Sequence, residues 1–77
     1  MSVSIEVKRI RQQALLTQED FARSLNVSFS TVNRWENGKG KPNMTAMKSL
    51  KQFCDQHDIP YEGLHDAWCD CPDKNTL

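Results

Sequence analysis

Between Leu16 and Pro42 the chain starts a helix twice, and the end of the first helix lies so close to the second start that only a turn can join them. Thr17 opens Thr17-Gln18-Glu19-Asp20, a hydroxyl cap followed by acids. Such a cap satisfies an amide that helix geometry leaves free, and the acid three residues on can reach back toward the cap's own amide. Phe21, Ala22 and Leu25 then share one face. Asn26 ends the helix, because Asn tolerates the left-handed conformation better than any residue except Gly. Val27 is an apolar residue in the turn and is expected to plug the core. Ser28 caps the next helix, in which Val32 and Trp35 form a narrow apolar edge while Phe29, Ser30, Thr31, Asn33 and Arg34 point elsewhere. Asn37-Gly38 closes it, and Lys39-Gly40-Lys41-Pro42 is a tight basic loop. Two short helices joined by such a turn form a helix-turn-helix, with the small Ala22 at their crossing. The second helix gives only an edge to the core. Its free N-terminal face fits a helix laid into the major groove of double-stranded DNA.

The flanks are helical too. Val7, Ile10 and Ala14 make one stripe on a first helix running from Ser4, its expected cap, to near Leu15, with Glu6 in the first turn suiting the dipole. Asn43 caps a fourth helix whose buried face is expected to be Met44, Met47, Leu50, Phe53 and Cys54, and the polar run from Asp55 to Asp58 ends it. Ile59-Pro60 opens a short fifth helix with Tyr61, Leu64 and Trp68 on one side, proline being tolerated at a helix start. The tail from Cys69 to Leu77 has no period and is expected to fray. Strand alternation is absent. The expectation is an all-α, compact five-helix domain over residues 1–68 and a C-terminal tail over 69–77.

Seventy-seven residues, 38 % hydrophobic and 26 % charged, suit one small domain with a modest core. No apolar run is long enough for a membrane span, and Met1 to Glu6 carries neither the basic start nor the apolar block of a secretory signal. Three cysteines (Cys54, Cys69, Cys71) are an odd number, so reduced thiols in a cytoplasmic setting are expected rather than a disulfide framework. Ten bases balance ten acids. The halves differ: residues 1–41 hold seven bases against four acids, and residues 42–77 three against six. This suggests one polyanion-facing surface and one turned away, although a swing so small can arise by chance.

At this point the resemblance is close. LTQEDFARSLNVSFSTVNRWENGKGKP is similar to the Cro/repressor-type, XRE-like helix-turn-helix family of bacterial and phage regulators. The TQE opening, the apolar-Ala pair, the Val-Ser turn and the RWENGKxKP ending fit the family pattern. Lys8-Arg9-Ile10-Arg11 resembles the family's first helix, Met44 to Phe53 its fourth and Ile59 to Leu64 its fifth. The chain departs from the pattern in Asn26, where the family usually has Gly, and in a longer link between Leu50 and Ile59.

The resemblance implies a lambda-repressor-like DNA-binding fold and a sequence-specific transcriptional regulator, a repressor in its simplest form. Phe29, Ser30 and Arg34 match the base-reading positions, with Ser28 and Asn33 flanking them. Arg34 can place its fork on a guanine, and Phe29 can meet a thymine methyl. The alternatives are an Arg34 that pairs with an acid or a phosphate, and a Phe29 that packs back onto the core. Gln18, Asn37, Lys39 and Lys41 match contacts to the phosphate strand, which supply salt-dependent affinity and little preference. Arg11 and Glu36 match a family ion pair that is scaffold rather than readout. The expected partners are double-stranded DNA and a second copy of the chain. A homodimer would place two reading helices on half-sites about 10 bp apart.

Other chemistry has less behind it. No nucleophile elbow, phosphate-cradling glycine loop or carboxylate pair is present, so no enzyme activity and no cofactor are expected. His65, Cys69 and Cys71 are ligand types, but C-x-C is not the usual knuckle spacing and no metal is expected. The competing reading is a protein-binding adaptor or antitoxin-type module on the same fold, with Tyr61, Leu64, Trp68 and Leu77 as its apolar contacts.

Overall fold

The computed structural model describes residues 2–70. Among them are five helices and no strand: α1 (Val3–Gln13), α2 (Gln18–Ser24), α3 (Phe29–Glu36), α4 (Met44–His57) and α5 (Glu62–Asp70). Three of the caps read from the sequence are formed. Thr17 accepts from the Asp20 amide, Ser28 from the Thr31 amide and Asn43 from the Ala46 amide. The reciprocal half of the Thr17 cap does not form, because the Asp20 carboxylate takes Arg23 at 3.2 Å instead.

The four connections share one device. Each turns at a single left-handed residue: Leu15 (φ 60), Asn26 (φ 59), Gly38 (φ 72) and Asp58 (φ 56). Beyond each of them the next amide reaches back to a carbonyl in the last turn: Leu16 to Arg11, Val27 to Ala22, Lys39 to Arg34 and Ile59 to Cys54. This is the Schellman pattern, which satisfies carbonyls that a helix end leaves free. Leu16, Val27 and Ile59 turn partly into the core at these points. Lys39 is charged and exposed, so the connection after α3 stands out in solvent.

One core joins all five helices. Val7 and Ile10 of α1, Phe21 and Ala22 of α2, Val32 and Trp35 of α3, Met47, Leu50, Phe53 and Cys54 of α4, and Leu64 and Ala67 of α5 are buried in it. Phe21 and Phe53 meet edge to face at 5.1 Å, a favoured aromatic geometry. Helix α1 packs against both α3 and α5, while α2 packs on α3.

Four expectations are corrected. The first helix begins at Val3 with Ser2 at its cap position; Ser4 is inside it, and the two hydroxyls bond at 2.7 Å. Met44 is 60 % exposed rather than buried, because it is the first residue of α4 and the core begins a turn later at Ala46 and Met47. Pro60 and Tyr61 precede α5 instead of opening it. The fifth helix runs through Cys69 to Asp70, past the point where the tail was expected to begin. Cys71 and Leu77 lie outside the described residues.

Candidate nucleic-acid interface

The outward face of α3 follows from where its apolar edge goes. Val32 and Trp35 are buried, so the side of α3 away from this edge is turned outward. Phe29 is 48 % exposed and is not packed back onto the core; Ser30 and Arg34 are exposed as well. Ser28 acts within its own turn, where its hydroxyl holds the Thr31 amide at 3.1 Å and meets the Thr31 hydroxyl at 2.8 Å. Asn33 accepts from Asn37 Nδ2 at 3.2 Å, which ties the last turn of α3 to its cap.

Arg34 takes a partner the sequence did not suggest. Its Nη2 donates to the carbonyl of Lys39 at 3.0 Å, so the side chain lies along the loop that follows its own helix. The guanidinium lies close to Gly40, where a Cβ would stand 3.5 Å from Nη2, in ordinary van der Waals contact.

Beneath α3 lies an ion pair. Arg11 Nε reaches Glu36 Oε2 at 2.7 Å and Nη2 reaches Oε1 at 3.0 Å, while Nη1 donates to the carbonyl of Leu16 at 3.0 Å. The hydrogen bonds and charge of Glu36 push the Arg11 guanidinium above its ordinary pKa, against the opposing effect of burial. Gln18 joins the group by donating Nε2 to Glu36 Oε1 at 3.0 Å. Its side-chain amide, matched by resemblance to a phosphate contact, is therefore committed to the scaffold in this structure. The start of α2, the end of α1 and the end of α3 meet on one carboxylate.

The loop from Asn37 to Pro42 carries two bases, Lys39 and Lys41. Lys39 is exposed. Lys41 places Nζ 5.2 Å from the centre of the Trp68 ring, within cation–π range. Trp68 donates its indole N–H to the carbonyl of Pro42 at 2.6 Å. This clasp was missed in the sequence, although a half-buried indole N–H requires an acceptor and so gave a hint of one.

A second missed group joins α1 to α5. Glu6 is buried beside Arg9, 2.8 Å from Nη2, and Arg9 also donates to the carbonyl of Pro60 at 3.2 Å. Gly63 lets the carboxylate approach, since a Cβ at that position would lie 2.5 Å from Glu6 Oε1.

The apolar residues of α5 and Tyr61 just before it are engaged within the chain. Leu64 is fully buried, Trp68 is occupied with Pro42, and Tyr61 reaches the carbonyl of Met47 at 3.5 Å with Lys51 over its ring. Of the contacts the adaptor reading names, Leu64 is buried, Tyr61 and Trp68 are half-buried and bonded within the chain, and Leu77 lies outside the described residues. His65 and Cys69 approach to 3.7 Å, but among the described residues no three His, Cys, Asp or Glu side chains gather where a metal could sit. No helix among the described residues is long and apolar enough to cross a membrane.

Comparison with known proteins agrees with this geometry. A family model described as helix-turn-helix matches residues 7–56, about two-thirds of the chain. A similar protein is the HTH-type transcriptional activator BcrR of Enterococcus faecalis, 38 % identical over 53 residues. That alignment covers 69 % of this chain and 26 % of the relative, so the chain spans about a quarter of that relative's length. No solved structure matches the chain significantly. With its five helices, its helix-turn-helix of α2 and α3 and this family match, the chain belongs to the Cro/C1-type, XRE-like helix-turn-helix family.

Proposed function

We propose that this chain is a DNA-binding transcriptional regulator that lays α3 into the major groove of double-stranded DNA. The observation that carries the reading is the outward face of α3. Phe29, Ser30 and Arg34 are exposed on a helix whose opposite edge is locked in the core, beside a loop that offers Lys39 and Lys41. Phe29, Ser30 and Arg34 read base edges, with Ser28 and Asn33 beside them. Lys39, Lys41, Asn37 and the start of α2 at Gln18 meet phosphates. A single unit of this kind buries too little surface for tight specific binding, so two copies bind a palindromic site with half-sites about 10 bp apart. The protein works in the cytoplasm and represses by occupying its operator; the relative from Enterococcus faecalis is named an activator.

The test is selection of bound duplexes from a random pool at near-physiological salt. Enrichment of an inverted repeat is the expected result. Enrichment of a single half-site keeps the DNA function and removes the homodimer. A folded protein that enriches nothing overturns the reading in favour of the adaptor or antitoxin-type module. A reporter placed behind the selected site then gives the direction of regulation, with lowered expression expected.

A further inference from the structure

Helix α5 lies outside the span that the family model matches, yet it holds the basic loop. Trp68 Nε1 donates to the carbonyl of Pro42 at 2.6 Å, across 26 positions of sequence. Pro42 has no N–H and its ring is fully buried, so this carbonyl is the backbone polar group it has to offer. Lys41, the residue before it, rests Nζ over the same indole. At the other end of the loop the Lys39 amide donates to the Arg34 carbonyl at 2.9 Å, and the Lys39 carbonyl accepts from the Arg34 guanidinium at 3.0 Å. The stretch Lys39–Pro42 is thus fastened to α3 at one end and to α5 at the other.

We infer that Trp68 is a positioning residue for DNA binding: by holding the Pro42 carbonyl and the stem of the loop, it sets Lys39 and Lys41 in register with the phosphate strand. The inference rests on the DNA-binding reading proposed for α3. A loop ordered before it meets the duplex loses less freedom on binding, and the gain applies to every sequence alike, because phosphate contacts carry no base preference.

Trp68→Phe in the full chain tests it, since the ring remains and the N–H is lost. Hydrogen exchange of the Lys39 amide, which donates to the Arg34 carbonyl, is expected to rise about tenfold, while amides of α1 to α3 hold their rates. Affinity is expected to fall about three- to tenfold on selected and random duplexes alike. The slope of log affinity against log salt should become shallower by about one. Lys41→Ala should then weaken binding less in the Trp68→Phe background than in the wild type, a coupling that a purely structural role would not produce. A wild type that binds duplex while Trp68→Phe keeps its affinity, salt slope and loop exchange overturns the inference alone. A folded wild type that binds no duplex overturns the DNA reading and this inference with it. If Trp68→Phe does not fold, the wild-type indole N–H resonance reads the same contact. It should exchange slowly and move during duplex titration, and a resonance unmoved at saturation overturns the inference.

Discussion

Glu36 receives Arg11 on both prongs, at 2.7 and 3.0 Å, and so fastens the first helix to the last turn of α3. Both side chains are largely withdrawn from water, 15 % exposed for Arg11 and 4 % for Glu36. Removing one partner leaves the other charge buried and unpaired, which costs about 3–5 kcal/mol. Arg11→Ala and Glu36→Ala are therefore each expected to lower the urea midpoint by most of the margin of a small domain. The double variant should lose much less than the two losses combined, because no orphaned charge remains. Additive losses in that cycle would show that the pair is not coupled.

Leu15 is held at φ 60 while 91 % exposed, so no packing compensates its backbone. A left-handed L-residue costs about 1–2 kcal/mol, and glycine's greater freedom in the unfolded chain returns about 0.5–1 of that. Leu15→Gly should raise the melting temperature by about a few degrees. Leu15→Ala, which keeps a Cβ, should not. Equal melting of all three proteins would show that the left-handed turn carries no strain.

Gly63 sits where Glu6 needs space. In a helix, Gly→Ala ordinarily gains up to about 1 kcal/mol. Here the new methyl would occupy the place of the buried carboxylate and push it away from Arg9. Gly63→Ala should destabilise by about 1–3 kcal/mol. Adding Glu6→Ala to it should cost less than Glu6→Ala costs the wild type, since the carboxylate is already displaced. Chemical denaturation of the four proteins decides the point, and a stabilised Gly63→Ala would refute the close approach.

Burial pushes the Cys54 thiol up to about 11 from 9.0. The folded state therefore keeps its proton longer than the unfolded chain does. Stability is full below about pH 9 and falls between pH 9 and 11, as the unfolded thiol ionises first. The loss amounts to about 3 kcal/mol at most. Tyr61, raised chiefly by burial, acts in the same direction. Cys54→Ala should flatten the alkaline limb of the stability profile; a limb parallel to the wild type would exclude the thiol as its cause.

On the proposed reading, Arg34 and Lys39 separate readout from attachment. Arg34→Ala should flatten the preference at one base position by about 1–3 kcal/mol. Lys39→Ala should weaken all sequences alike and lower the salt slope by about one. Because Arg34 also holds the Lys39 carbonyl, a smaller uniform loss is expected from Arg34→Ala as well. A uniform loss with no change in preference would reduce Arg34 to a support of the loop.

What the sequence determined by itself was local. Thr17, Ser28 and Asn43 cap their helices, Asn26 and Gly38 turn the chain, and Val32 and Trp35 orient α3, because each effect is decided within a turn or two of the residue concerned. The outward face of α3 was legible for the same reason. What only the tertiary structure decided was the partner of each polar side chain and the conformations that packing imposes. Gln18 binds Glu36, Trp68 binds Pro42 and Glu6 lies against Gly63, pairs separated by 18, 26 and 57 positions. Leu15 turns left-handed against its own preference. A periodic pattern shows which face is buried, but the acceptor that meets a half-buried donor is set by which helices pack together, and spacing along the chain does not encode that.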